Sequence, residues 1–237
     1  MRLAPLLCCL ALPVLSSAGE LMRSVQQPTA GIVAPRTYYF ALSTFPPDGL
    51  RFEVQAGLVP RLMAGLSYGG TYLIGLESPS WFDKVGVKAR FRFVDESVDF
   101  PALALGYDNE REPSRSAGDY TRLSRGMYFV ASKNFSAPGG DLAFHGGLSI
   151  SFDDSDHADF WLAADKSLPL GFGVAADWDA ATNEADSVRF DNSGGFLNFE
   201  LFWESFGQVR ISMQMKDMLQ AGGEQYRSLA VDFLGLF

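Results

Sequence analysis

The chain has 237 residues, 47% of them hydrophobic, and carries 19 basic against 28 acidic side chains, for a net charge of −9 at neutral pH. A net acidic chain without a basic stripe repels a polyanion, which excludes nucleic acid as a partner. The length allows one large domain or two small ones.

Met1 and Arg2 form a short basic start, Leu3 to Leu15 an apolar stretch, and Ser16-Ser17-Ala18 a run of small residues. That order is a secretory signal peptide over 1–18, cleaved after Ala18. Its apolar stretch is too short to span a bilayer as a helix. A lipoprotein signal acylated at Cys8 or Cys9 is disfavoured by the bulky Leu6 and Leu7 before them. With both cysteines lost in the signal, no disulfide supports the exported chain, and a large closed sheet must do so instead. Residues 19–36 read as a lead-in segment and 37–237 as one domain.

From residue 37 onward the dominant pattern is alternation of apolar and polar residues, the period of a β-strand. Strands are expected near 37–45, 50–58, 61–68, 84–93, 99–107, 122–134, 141–152, 158–166, 169–178, 194–203, 207–215 and 226–237. The clearest runs from Val85 to Phe93, where Lys88, Arg90 and Arg92 share one face and Val87, Ala89 and Phe91 the other. Leu50 to Ala56 and Val209 to Met215 alternate in the same way. Short connections such as Val59-Pro60 and Ser167-Leu168 alternate with longer ones at 69–83, 108–121, 179–193 and 216–225. A transmembrane barrel has tight turns at one end and long loops at the other. The expected fold is therefore all-β, a closed antiparallel up-and-down transmembrane β-barrel of about twelve strands, with outer-membrane lipid as its surroundings.

Leu229, Val231, Phe233 and Phe237 share one face of the last strand, and the given sequence stops at Phe237. Phe233 and the terminal Phe237 resemble the assembly signal read by barrel-assembly machinery, which makes that machinery an expected partner. Tyr68, Tyr107, Trp161, Trp178 and Trp203 fall near strand ends, where aromatic girdles lie.

Several stretches carry a family resemblance. Pro28 to Phe40 is similar to the lead-in before the first strand of many outer-membrane barrels. Pro101-Ala-Leu-Ala-Leu-Gly-Tyr-Asp108, Arg125 to Phe135 and Asp141 to Leu148 resemble the YjbH-type barrel family. Members of that family are generally longer, with more than one barrel. The resemblance implies a link to exopolysaccharide export and to polysaccharide-export proteins as partners. It supplies no catalytic motif and no cofactor.

Lipid cannot hydrate charge, so the charged face must line the lumen. The lumen-lining candidates are Arg51, Glu53, Lys88, Arg90, Arg92, Asp165, Asp177, Glu200, Arg210 and Asp232. They fit either a pore that guides anions along Lys88, Arg90 and Arg92, or a narrow barrel plugged by paired charge. Glu200 and Arg210 flank one tight turn and should pair. His145 and Ser149 are four apart on one strand face, about 13 Å, too far for a Ser–His hydrolase pair. The acidic run from Asp153 to Asp159 is rich in oxygen ligands for calcium but lacks the glycine turn and distal glutamate of an EF-hand loop. Two further readings stay open: a soluble secreted barrel or sandwich binding a small apolar or sugar ligand, and a lipid-acting barrel enzyme.

Overall fold

The structure, a computed structural model, describes residues 20–113, 120–153, 157–184 and 189–237. The expected signal peptide over 1–18 lies outside the described residues. Twelve long strands, among the described residues, form the wall. They are β1 (Thr37–Phe45), β2 (Gly49–Val59), β3 (Leu62–Thr71), β4 (Gly86–Val94), β5 (Ala102–Asp108) and β6 (Gly126–Ala137). The second half comprises β7 (Gly140–Ile150), β8 (Ala158–Ser167), β9 (Phe172–Asp179), β10 (Phe196–Ser205), β11 (Val209–Lys216) and β12 (Tyr226–Leu236).

Each strand pairs antiparallel with the next, and β1 pairs with β12 from Thr37↔Leu236 to Ser43↔Ala230. The Phe237 N–H donates to the Arg36 carbonyl at 2.9 Å, carrying the seam past the last ladder pair. Closure leaves no edge strand with unpaired backbone groups, which is what lets a sheet stand in hydrocarbon. The strand set matches the alternation in the sequence. The main shift is at β6, expected from 122 but starting at Gly126, because Tyr120–Arg122 pair instead with Glu112–Pro113 beyond the wall.

Connections alternate between a turn end (60–61, 95–101, 138–139, 168–171 and 206–208) and a loop end (46–48, 72–85, 109–125, 151–157, 180–195 and 217–225), and the four longest, 72–85, 109–125, 180–195 and 217–225, all lie at the loop end. The two faces of the wall differ in chemistry. Phe52, Val54, Leu66, Val87, Phe91, Leu105, Leu148, Leu162, Leu201, Ile211, Met213 and Leu229 are all exposed on the outside. Tyr68 stacks on Trp81 there at 5.8 Å, and Phe135 packs edge-on against Phe144 at 6.1 Å.

Strands in a barrel of about eight already enclose just the space their own side chains fill, so twelve leave room for something more. The filling is the N-terminal segment. Residues 20–33 run through the lumen as a hairpin bridged at Arg23↔Pro28, tightened by Ser24 N–H donating to the Gln27 carbonyl at 2.8 Å. The chain leaves the lumen through the exposed Ala34-Pro35-Arg36, and Arg36 at φ 64° turns it into β1. Gly57 of β2 lies against this exit: any Cβ there would collide with the Val33 and Ala34 carbonyls.

Residues 20–33 of the expected lead-in are therefore an interior element rather than an appendage, and they contribute to each cluster of the core. Met22, Ile32 and Val33 pack with Tyr39, Ala41 and Met63. Ala30 packs among Ala102, Ala104, Tyr128, Val130 and Trp161, and Val25 against Ala175 and Phe202. Small wall residues face bulky segment residues, or the reverse, as close packing requires. Trp161 differs from the girdle position read from its sequence place. It points inward and is 1% exposed, whereas Tyr68, Tyr107, Trp178 and Trp203 lie on the outer face.

Candidate functional site

All of the lumen-lining candidates lie on inward-facing positions, and each is engaged. Lys88 Nζ sits 2.7 Å from Glu53 Oε2 and 2.6 Å from Glu110 Oε2, with Asp108 at 3.8 Å. Arg51 pairs with Glu110 at 2.5 Å, and Gln55 bonds Glu53. Burial alone would raise the Glu110 carboxyl, but the adjoining Arg51 and Lys88 charges outweigh it and hold it below the ordinary value. Arg92 pairs with Glu20 of the inner segment and with Asp95 at 3.0 Å. Arg210 bonds Glu200 at 2.6 Å and lies 3.5 Å from the centre of the Phe202 ring. In the ladder Arg210 stands opposite Glu204, not Glu200, which aligns with Gln214. The pair forms diagonally, because a guanidinium is long enough to reach along one face.

The remaining groups hold the inner segment by its main chain. Arg90 Nη1 donates to the carbonyls of Met22 at 3.0 Å and Gly31 at 2.7 Å, while its Nε donates to Tyr128 at 3.0 Å. Asp177 Oδ2 accepts the backbone N–H groups of Gln26 at 2.6 Å and Gln27 at 3.1 Å. Arg125 donates to the Gln26 carbonyl at 3.1 Å. Side-chain bonds add to these: Gln27 to Asp179 at 2.7 Å, Asn198 to Gln26 at 3.0 Å, and Arg23 to Asp232 at 3.1 Å.

The basic row Lys88–Arg90–Arg92 thus meets carboxylates and peptide carbonyls, so its charge is taken up within the lumen. Pairing of charge is what the second reading of the interior described, whereas the segment lying in the lumen belongs to neither reading.

Asp165 takes part in a second chain of bonds. His145 on β7 lies 2.7 Å from Asp165 Oδ2 of β8 through Nε2, and 2.8 Å from Ser132 Oγ of β6 through Nδ1. With Nε2–H donating to Asp165, Nδ1 accepts the Ser132 hydroxyl, a tautomer assigned from the bonding pattern. The Ser132 oxygen in turn accepts the Ala30 N–H at 2.8 Å. Cross-strand pairing brings together what spacing along β7 could not, and the histidine's partner is Ser132 rather than Ser149. The order of depth is nevertheless the reverse of a hydrolase: Asp165 is the more exposed member, its side chain at 16% against 4% for His145. A nucleophile must be free to meet its substrate, and here Ser132 is 5% exposed with its oxygen held by both His145 and the Ala30 N–H. The chain of bonds works as a clamp on Ala30.

Beside this clamp a cavity of about 590 Å³ opens at the turn end, lined by Glu20, Leu21, Thr29, His145, Asp165 and Phe202 among others. A smaller cavity of about 70 Å³, lined by Gln26, Lys88, Glu110 and Arg125 among others, lies toward the loop end. The acidic run after Ile150 is partly described. Asp153 bonds Arg111 and the Ser124 N–H, and Asp159 accepts from Thr182, so both carboxylates are engaged, while residues 154–156 lie outside the described residues. No group of side chains able to hold a metal ion occurs among the described residues.

Sequence reasoning missed Arg23, Gln26, Gln27, Arg125, Ser132, Asp179 and Asn198. Inward parity was available as a signal for Ser132, Asp179 and Asn198. The others sit outside the wall strands, where alternation says nothing.

No family model matches the chain, and no curated protein matches it. Among solved structures, a chain from a study of the in-meso crystallisation of membrane proteins is similar at 12% identity and TM-score 0.41, covering 85% of this chain and 83% of that one. Two engineered variants of the Rh. blastica porin are similar at 13% identity, with TM-scores of 0.38 and 0.37. They cover 80% and 79% of this chain and 56% and 55% of the porin chains. Likeness at that level carries no function across to this chain.

Proposed function

We propose that this chain is an integral outer-membrane β-barrel whose lumen is occluded at rest by its own N-terminal segment, serving the envelope as an anchored, closed barrel. The observation that carries this is the sorting of faces. Large apolar side chains cover the outside and charge is kept inside. A soluble barrel needs the opposite arrangement, whereas a lipid-facing Arg near the midplane costs about 2–4 kcal/mol. The long connections are the natural outer loops and the short ones periplasmic turns. Glu20 then lies at the periplasmic mouth, on the side from which an exported N-terminus arrives.

The resemblance to YjbH-type barrels supports a place near exopolysaccharide export, and we carry it as a proposal. Solute passage through the lumen requires residues 20–33 to leave it. Fractionation and heat modifiability test the reading. The folded protein should remain with outer membranes after a carbonate wash, and should migrate differently on a gel before and after boiling. Recovery as soluble periplasmic protein overturns it.

A further inference from the structure

The wall's hydrogen bonds to the inner segment fall about equally on its peptide groups and on the side chains of Glu20, Arg23, Gln26 and Gln27. Arg90 takes two carbonyls, Asp177 two N–H groups, Arg125 one carbonyl and Ser132 one N–H. A protein that reads main-chain groups reads conformation more than sequence, the logic by which sheets and grooves bind extended peptides. The side chains at the clamped leg are small, Thr29-Ala30-Gly31, and Gly31 is required because a Cβ there would meet the Leu21 carbonyl of the other leg. Sequence enters through apolar seats for Met22, Val25, Ile32 and Val33 and through polar partners for Glu20, Arg23, Gln26 and Gln27.

The second observation is access. Leu21, Met22, Thr29, Ala30 and Gly31 form one side of the 590 Å³ cavity, which opens at the turn end. The clamped leg is thus reachable by an incoming chain without opening the wall. The covalent tie to β1 runs through exposed residues 34–36, which meet the wall at Gly57 and lie outside the lumen.

From these observations we infer that the lumen wall is a peptide-binding site, with residues 20–33 as its resident and exchangeable ligand. The ligand class is a polypeptide hairpin with small residues on one leg and aliphatic residues at the seats of Met22, Val25, Ile32 and Val33. Any segment of that description, presented from the turn end, competes for the lumen. Exchange is the event that would empty it.

The test uses the full chain with a site-specific protease sequence placed at 34–36, folded first and then cut. The probe is a fluorophore-labelled synthetic peptide of residues 20–33. After cutting, the released segment should co-migrate with the barrel and be replaced by the labelled peptide over hours. A probe N-methylated at residue 30, which removes the N–H given to Ser132, should bind at least tenfold more weakly. A probe with alanine in place of Gln26 and Gln27 should lose less than tenfold. The Arg90→Gln variant should speed loss of the cut segment at least tenfold, and Ser132→Ala provides the same measurement if Arg90→Gln does not fold. A cut segment that never exchanges is a core element and overturns the proposal. So does a segment that departs and cannot rebind, or a site indifferent to N-methylation but abolished by the Gln26 and Gln27 changes. Membrane fractionation is independent of these outcomes, so failure here leaves the outer-membrane reading standing.

Discussion

Asp177 Oδ2 accepts the Gln26 backbone N–H at 2.6 Å across 151 positions of chain. One carboxylate on β9 thereby fixes the tip of a hairpin that precedes the entire barrel. The same oxygen takes the Gln27 N–H at 3.1 Å, and the other oxygen accepts Asn198 Nδ2 at 2.7 Å. Asp177→Ala strands these donors in a closed interior, at about 1–3 kcal/mol for each one left unpaired. The temperature at which the folded gel band converts to the unfolded one should fall. Asp177→Asn keeps acceptor oxygen and should fall less. Equal behaviour of the two variants would show that the carboxylate's bonds do not anchor the hairpin.

Much of the wall was legible in the sequence because alternation is a local property. Val85 to Phe93 and Val209 to Met215 state their faces within a few residues, and each strand's inward side then lists the lumen charges. The inner segment was not legible. Residues 20–36 have no strand or helix period, and their hydrogen-bond partners on the wall lie as far as 209 positions away. Trp161 shows the same limit on a smaller scale: its place near a strand end suggested a girdle, but only a filled lumen gives an inward tryptophan something to pack on. The clamp at Ser132, His145 and Asp165 required the register of three strands, which no single strand contains.

Arg210 and Glu200 should behave as a unit. Both are largely buried, and removing one partner of a buried ion pair typically costs about 3–5 kcal/mol. Glu200→Ala leaves Arg210 facing Phe202 without its carboxylate, and Arg210→Leu leaves Glu200 with Gln214 alone at 2.6 Å. In a double-mutant cycle on thermal conversion of the folded band, the double variant should be less damaged than the sum of the singles. Additive losses would mean that the pair contributes nothing jointly.

Acid should loosen one loop-end tie before the barrel. Burial raises the Asp153 carboxyl, but bonds from Arg111 and the Ser124 N–H outweigh this and hold it at about 2, below its ordinary 3.8. A carboxylate depressed on folding stabilises fully above its unfolded pKa, and the contribution fades as pH falls from 3.8 toward 2. Hydrogen exchange at the Ser124 amide, corrected for intrinsic rate, should therefore lose protection across that window in the wild type. In Asp153→Asn the loss should already be present at neutral pH. Protection unchanged through the window would remove Asp153 as the tie.

The last prediction concerns current. In a planar bilayer the intact chain should not conduct, because residues 20–33 fill the lumen and the row Lys88, Arg90 and Arg92 is already spent on Glu53, Glu110, Glu20 and the carbonyls of Met22 and Gly31. Gly31→Leu should change this without altering a wall residue. The leucine must enter the space of the Leu21 carbonyl, where even a Cβ does not fit, so the two legs of the hairpin cannot close on each other. With the hairpin unseated, Arg90 loses its carbonyls and Asp177 its N–H groups, and water replaces them along a continuous path. The variant should show stepwise conductance in a protein that still converts with heat like a folded barrel. A disulfide between Ala30→Cys and Ser132→Cys provides the reverse control, since Cys8 and Cys9 are the chain's cysteines and both lie in the expected signal peptide. Oxidised, that variant should stay silent even when Gly31 is also leucine, and reduction should restore the steps. Silence of folded Gly31→Leu under reducing conditions would mean that the wall itself closes the lumen, and the hairpin would lose its role as the barrier.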